Sequence, residues 1–192
     1  MNRQVQRLYE MANRPGRRII GLMSGTSLDG LDIAVCHITG SGLSTQVNLE
    51  HFETIPYADD FRSKIRTVFA QQQVSLETLC LLNPWIATEH ARFITAFMKR
   101  KGIDTGDIDL IASHGQTIYH APRWMHRKNG FGNATLQIGD GDHLAVHTGI
   151  ITISDFRQKH IAGGGEGAPL ALYGDRLLFS KAGEDRVLLN IG

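Results

Sequence analysis

Gly25-Thr26-Ser27-Leu28-Asp29-Gly30-Leu31-Asp32 follows directly on the apolar run Ile19-Ile20-Gly21-Leu22-Met23 and gives way to Ile33-Ala34-Val35-Cys36. A chain written this way has to end one strand in a tight polar turn and begin its antiparallel neighbour. The turn is also suited to chemistry. Its two glycines let backbone approach a ligand, the Thr26 and Ser27 hydroxyls can donate hydrogen bonds, and successive amides form an anion-binding concavity. Phosphate fits such a concavity, and Asp29 or Asp32 could hold Mg²⁺ beside it, directly or through water. The same residues also suit a plain hairpin in which Asp29-Gly30 serves only the turn, so the rest of the chain has to decide.

A chain of 192 residues that is 42% hydrophobic can bury one good core or two small ones. Twenty Lys and Arg against 19 Asp and Glu leave a net charge of +1, which sets up no global field for nucleic acid or an anionic membrane surface. No apolar stretch is long enough to span a bilayer. Cys36 and Cys80 stand without any Cys-x-x-Cys pairing, which points to a reducing compartment, with the cytoplasm as the expected location. Residues 1–16, with Arg3, Arg7 and Arg14 and the closing Pro15-Gly16, are expected to form a frayed basic tail rather than an organellar presequence.

Along the chain, Arg17 to Ser24, Leu31 to Thr39 and Val47 to Ile55 are expected as three antiparallel strands. The spacing of Phe61, Ile65, Val68 and Phe69 predicts a helix over Asp59 to Phe69. A second helix over Leu76 to Arg100 is expected to break near Asn83-Pro84, with Ile86, His90, Phe93, Ile94 and Phe97 on one stripe and Gly102 as its cap. Further on come a short strand at Leu110 to Ser113, a helix at Asp142 to His147, a strand at Ile150 to Ser154, a helix at Ala168 to Phe179 opened by Pro169, and a strand at Val187 to Ile191. An initial meander followed by alternating helices and strands implies an α/β chain, a mixed sheet flanked by helices. That order resembles the ribonuclease-H-like first lobe of actin, sugar kinases and the large heat-shock chaperone ATPases. In that superfamily the first hairpin turn holds the β- and γ-phosphates of ATP.

Three further segments carry candidate chemistry. Ser113-His114-Gly115-Gln116-Thr117-Ile118-Tyr119-His120 puts polar side chains at a strand's carboxyl end, where open sheets bind ligands. Leu136-Gln137-Ile138-Gly139-Asp140-Gly141-Asp142 is a second glycine-rich acidic turn. Ser154-Asp155-Phe156-Arg157 sets a carboxylate and a guanidinium at a strand end, ahead of the loop Ala162-Gly163-Gly164-Gly165-Glu166-Gly167-Ala168-Pro169-Leu170. The glycines there serve either a hinge or close approach to a ligand. His143 and His147 lie one helical turn apart, with His114, His120 and His126 nearby, but no Glu of a His-Glu-x-x-His motif accompanies them, so they are read as solvated or ligand-contacting rather than as zinc ligands. Trp124 and Tyr119 suit either stacking on a sugar or half-exposed packing.

Taken in order, the blocks Gly21 to Asp32, Ser113 to Pro122, Thr135 to Asp142 and Ser154 to Leu170 resemble the anhydro-N-acetylmuramic acid kinase family of the sugar-kinase superfamily. The resemblance covers essentially everything after the basic tail and makes residues 17–192 an N-terminal lobe. Family chains are roughly twice as long, so a second lobe carrying the other phosphate loop and the adenosine pocket is expected beyond Gly192. The resemblance implies that ATP phosphorylates the 6-oxygen of 1,6-anhydro-N-acetylmuramic acid while water opens the anhydro ring, giving N-acetylmuramic acid 6-phosphate. It makes Asp155 the base that activates water. Gly25, Thr26, Ser27, Leu28, Asp29, Gly30, Leu31 and Asp32 become the ATP-phosphate turn, with Mg-ATP near Asp29 and no direct protein ligand to the metal. His114, Gln116, Arg157 and Gly165 become substrate-binding residues, Arg157 either holding Asp155 ionised or meeting the lactyl carboxylate. The implied partner is an anhydro-amino-sugar, with a homodimer possible and neither nucleic acid nor membrane involved. The family commonly has Asp where this chain has His160 and Gln where it has Glu166. A chaperone-like or non-catalytic ATP-binding module of the same fold would need the turn but not Asp155.

Overall fold

A computed structural model describes residues 2–189. Strands β1 (Gly16–Ser24), β2 (Gly30–Thr39) and β3 (Gln46–Pro56) form the expected antiparallel meander, with Ile20 opposite Val35 and Leu22 opposite Ile33. Alternation sends Ile20, Leu22, Leu31, Ile33 and Val35 to one face, where they are buried. Against that face pack Phe61 and Ile65 of helix α2 (Asp59–Arg66) and Ile86, Ile94 and Phe97 of helix α3 (Leu76–Lys101), closing one core.

The sheet runs β3-β2-β1-β4-β5, where β4 spans Leu110–Ala121 and β5 spans Ala134–Ile138. Strand β6 (Thr152–Ser154) pairs with the first part of β4 in parallel, and β5 with its second part antiparallel. Helices α4 (Arg123–His126), α5 (Gly141–Thr148), α6 (Phe156–Ala162) and α7 (Ala171–Phe179) complete the second half. The α/β mixed sheet with flanking helices is therefore present as expected.

Several local expectations change. The basic tail is mostly helix α1 (Arg3–Ala12), capped by Asn2, whose side chain accepts from the Gln4 amide at 2.8 Å. Its arginines are not merely solvated, because Arg7 donates to the Ile108 carbonyl at 3.0 Å and Arg14 pairs with Asp109 at 2.8 Å. Those partners lie about a hundred residues away, beyond the reach of local pattern. Helix α3 passes through Pro84 unbroken: the carbonyl deprived of its donor belongs to the exposed Cys80, and Asn83 is anchored sideways through its carbonyl to the Asp140 amide at 3.3 Å. Strand β4 is three times the length expected, and helix α6 and strand β5 were not foreseen. Helix α7 begins at Ala171, two residues past Pro169. Val187 to Leu189 are not in a strand, and the remainder of that expected strand lies outside the described residues.

Gly30 is required by packing. A Cβ there would lie 2.9 Å from the Ile55 carbonyl carbon and 3.1 Å from the Pro56 Cα, both backbone atoms that cannot swing away. Gly30→Ala is expected to destabilise the chain by about 2 kcal/mol or more in chemical denaturation, while Gly106→Ala, whose Cβ meets nothing within 4 Å, stays within about 0.5 kcal/mol of the parent. Equal stability of the two variants would contradict this account of the turn.

Candidate functional site

β1 and β6 end where β4 changes partner. Leu22 of β1 pairs with Ser113 of β4, and Ser113 pairs with Ser154 of β6, all in parallel. With about 4.8 Å between neighbouring strands, the row is about 10 Å wide. The polar turn after β1, His114 on β4 and Asp155 just after β6 therefore share one edge of the sheet, where the strand ends of open α/β sheets bind ligands.

In the first turn, Thr26, Ser27 and Asp29 are exposed. Among the described residues, the backbone N–H groups of Thr26 and Ser27 have no intramolecular acceptor. Leu28, buried, takes the left-handed conformation at φ 59°, while Gly25 does not. The two glycines thus have separate roles: Gly25 keeps the approach open and Gly30 admits β3. Asp32 accepts from the Thr54 hydroxyl at 2.6 Å, which turns it toward the sheet, and Asp29 is the exposed carboxylate beside the free amides. Leu31 is core. These donors and the exposed carboxylate fit a phosphate with an associated cation.

Asp155 occupies the N-cap position of α6 at φ 61°, ψ 38°, yet its side chain caps nothing. Left-handed backbone in a residue other than glycine costs about 1–3 kcal/mol and is kept where the surroundings impose it. Burial pushes its carboxyl above the usual carboxylate range, with no neighbouring charge assisting. It faces a polar cavity of about 190 Å³ whose wall also includes Asn83, His114, Gln137, Asp140 and Ser154. A larger groove of about 490 Å³ lies between α7 and residues 180–188, away from the strand ends; in its wall Glu184 pairs with Lys181 and Arg186.

Arg157 does not pair with Asp155. It donates to His114 Nε2 at 2.8 Å and to the Gly167 carbonyl at 2.7 Å. Because Nε2 accepts, the His114 proton sits on Nδ1, which donates to the Gly115 carbonyl at 2.9 Å. Burial, together with the adjacent guanidinium, lowers the His114 pKa and keeps the ring neutral. The ring lines the cavity and tethers Arg157 beside it.

Two expected substrate contacts are placed elsewhere. Gln116 is fully buried, and its amide is committed to Ser24, Gly25 and Thr117, so it holds the first turn instead of facing a ligand. Gly165 is absent from the cavity wall; its missing side chain makes room for the His160 ring, and its carbonyl accepts from Asn133 at 3.0 Å. His160 itself accepts from the Gly167 amide at 3.2 Å and meets Tyr173 edge-on, while Glu166 is exposed. His143 caps back onto Asp140 at 2.9 Å, holding that carboxyl below its usual range, and His147 reaches Thr88 at 3.4 Å. Trp124 lies exposed on α4.

Two residues of the cavity escaped the sequence reading. Asn83 accepts from the Gly139 amide at 2.8 Å, clamping the turn between β5 and α5. Gln137 donates to Thr135 at 2.8 Å, and its Oε1 is buried without a partner. An Asn directly before a helical proline was the available signal for the first; the second had none.

A family model described as anhydro-N-acetylmuramic acid kinase matches residues 17–192. Similar curated proteins bear that same name. The one from Pseudoalteromonas atlantica is 57% identical over 192 residues, covering 100% of this chain and 48% of the relative. That from Caldanaerobacter subterraneus is 40% identical over 188 residues, 98% of this chain and 48% of the relative. One from Bacillus cereus is 38% identical over 174 residues, 91% of this chain and 45% of the relative. The chain thus spans about half the length of the curated relatives it matches.

Because burial raises the folded-state pKa of Asp155 above its unfolded value, its contribution favours folding below the unfolded pKa and is lost as pH rises through the folded one. Asp155→Asn, neutral throughout, is therefore expected to raise Tm slightly near pH 7, by no more than about 1 °C for so exposed a group, with the gain shrinking as pH falls through the carboxyl range. A Tm difference independent of pH would rule this out.

Proposed function

The chain belongs to the anhydro-N-acetylmuramic acid kinase family, and from that premise we propose that it forms the N-terminal lobe of an enzyme that opens and phosphorylates 1,6-anhydro-N-acetylmuramic acid at the expense of ATP. The observation that carries the reading is Asp155: a carboxylate at a helix N-cap that caps nothing, in left-handed backbone, facing a polar cavity on the same sheet edge as a turn of free amides. A module that only bound ATP would need the turn, but it gives no reason for this carboxylate.

In the proposed reaction Asp155 accepts a proton from the water that adds to the anomeric carbon. The C1–O6 bond breaks with its electron pair going to O6, which attacks the γ-phosphorus as ADP departs. A carboxyl whose pKa is raised by burial is a stronger base than an ordinary one. His114 positions Arg157, whose guanidinium suits an anionic group of the sugar. The amides of Thr26 and Ser27 receive phosphate oxygens. Asp29 is the carboxylate placed to hold Mg²⁺ through water, and the cation would offset phosphate charge as it develops. Among the described residues no helix is long and apolar enough to cross a membrane. Free thiols at Cys36 and Cys80, together with the use of ATP, support a cytoplasmic enzyme.

In the intact two-lobed protein, Asp155→Asn should lower kcat at least about a hundredfold with the Mg-ATP KM within about twofold, since only the proton-accepting step is lost. Turnover near the parent value would remove Asp155 from the mechanism. A Cβ at Gly25 meets only Ser27 Oγ, at 3.7 Å, so Gly25→Val tests the turn without straining the fold. It should raise the Mg-ATP KM about tenfold or more, with Tm and the sugar KM little changed. An unchanged Mg-ATP KM would return the turn to a plain hairpin.

A further inference from the structure

Beneath the first turn lie four polar side chains, Ser24, Tyr57, His90 and Gln116, each no more than 2% exposed. They come from β1, the segment after β3, helix α3 and β4. Ser24 Oγ meets the Tyr57 hydroxyl at 2.7 Å, and that hydroxyl meets His90 Nε2 at 2.8 Å. Ser24 also contacts Gln116 Oε1. Gln116 Nε2 faces two carbonyls, Gly25 at 3.1 Å and Thr117 at 3.2 Å.

The direction of every proton in this chain follows from chemistry. Two carbonyls can only accept, so the Gln116 amide nitrogen must face them and its oxygen must face Ser24. Ser24 therefore donates to Gln116 and accepts from Tyr57. Tyr57, its one proton committed, accepts from His90, which must carry its proton on Nε2. Burial lowers the His90 pKa to about 3 and raises that of Tyr57, so both are neutral. All donors run one way, from His90 toward the Gly25 carbonyl.

We propose that His90, Tyr57, Ser24 and Gln116 form a polarised hydrogen-bond relay that positions the first turn and strengthens its Thr26 amide as an anion donor. The Gly25 carbonyl and the Thr26 N–H belong to one peptide group, so a donor on the carbonyl draws electron density away from the N–H. Hydrogen bonds in series reinforce one another by about 10–30% each. The Thr26 N–H has no intramolecular acceptor among the described residues, which leaves the effect available to a ligand. An apolar core would hold α3 against the sheet without burying four polar groups, each of which costs about 1–3 kcal/mol if left unpartnered. These are positioning residues, and the relay rests on reading the turn as a phosphate site.

Tyr57→Phe removes the link and keeps the ring, which stacks on Phe61 at 4.0 Å between centroids. Backbone ¹⁵N relaxation on the 192-residue chain is expected to show order parameters over residues 25–28 falling from about 0.85 toward about 0.6, with β1 and β2 unchanged. The Thr26 amide proton should shift upfield. In the intact protein the Mg-ATP KM should rise about tenfold while the sugar KM holds within about twofold. A turn that stays ordered, with its Thr26 shift unmoved, overturns the relay. A loosened turn with an unchanged Mg-ATP KM overturns the phosphate role instead. Should the variant not fold, the parent chain decides by nitrogen shifts of the His90 ring. The relay requires the Nε2–H tautomer with no titration near about 6.5, and an Nδ1–H tautomer or a titration there overturns it.

Discussion

Strand β4 changes its outer partner partway along, and the site depends on that change. Up to Ser113 it pairs with β6 in parallel; from Gln116 on it pairs with β5 antiparallel. Gly115 makes the switch, at φ 71°, where a Cβ would fall 2.8 Å from the Ile138 carbonyl oxygen. As β5 and β6 diverge, they leave the polar cavity between them, walled by Gln137 from one and Ser154 and Asp155 from the other. On its opposite edge the same strand lies parallel to β1, with Gln116 beside Ser24. One strand thereby fixes the carboxylate cavity and the first turn relative to each other, an arrangement that the proposed reaction, joining ring opening to phosphoryl transfer, needs.

The first half of the fold was legible because local signals agree there. Alternation in β1 and β2, glycine turns and the Ile86-to-Phe97 stripe each specify the same element from sequence alone. Residues 110–121 were not legible as one strand, because a central strand buried on both faces loses its alternation, and the polar run at Ser113 to Thr117 has the look of a loop. Its polar groups are tolerated in the interior only because partners distant in sequence satisfy them. Helix α1 was hidden for a similar reason, its arginines being held by Ile108 and Asp109.

For the candidate site, the motifs gave strand-end positions, and the structure brings those positions to one edge of the sheet. Asp155 and the first turn stand where the spacing put them, whereas Gln116 and Gly165 are drawn into supporting roles by contacts no spacing reveals. Asn83 was legible only as a helix break and His90 only as a position on the buried stripe; their hydrogen-bond partners, Gly139 and Tyr57, come from distant segments that only the fold brings to α3.

The contrast between the two halves of the site is physical. Beneath the turn, the buried polar side chains are satisfied by one another, and the turn's free amides are left facing out beside the exposed Thr26, Ser27 and Asp29. Around Asp155 the opposite holds: the carboxylate is exposed, unpaired and on left-handed backbone, and the guanidinium two residues away is tied to His114 and Gly167 instead. Pairing Asp155 with Arg157 would have stabilised the fold and lowered the carboxyl pKa, which weakens a base. Tethering the guanidinium to a neutral imidazole keeps a positive charge near the cavity without quenching the carboxylate. The chain thus gives up local stability at the one residue whose proposed work requires an unsatisfied charge, and recovers rigidity in the buried network beside it.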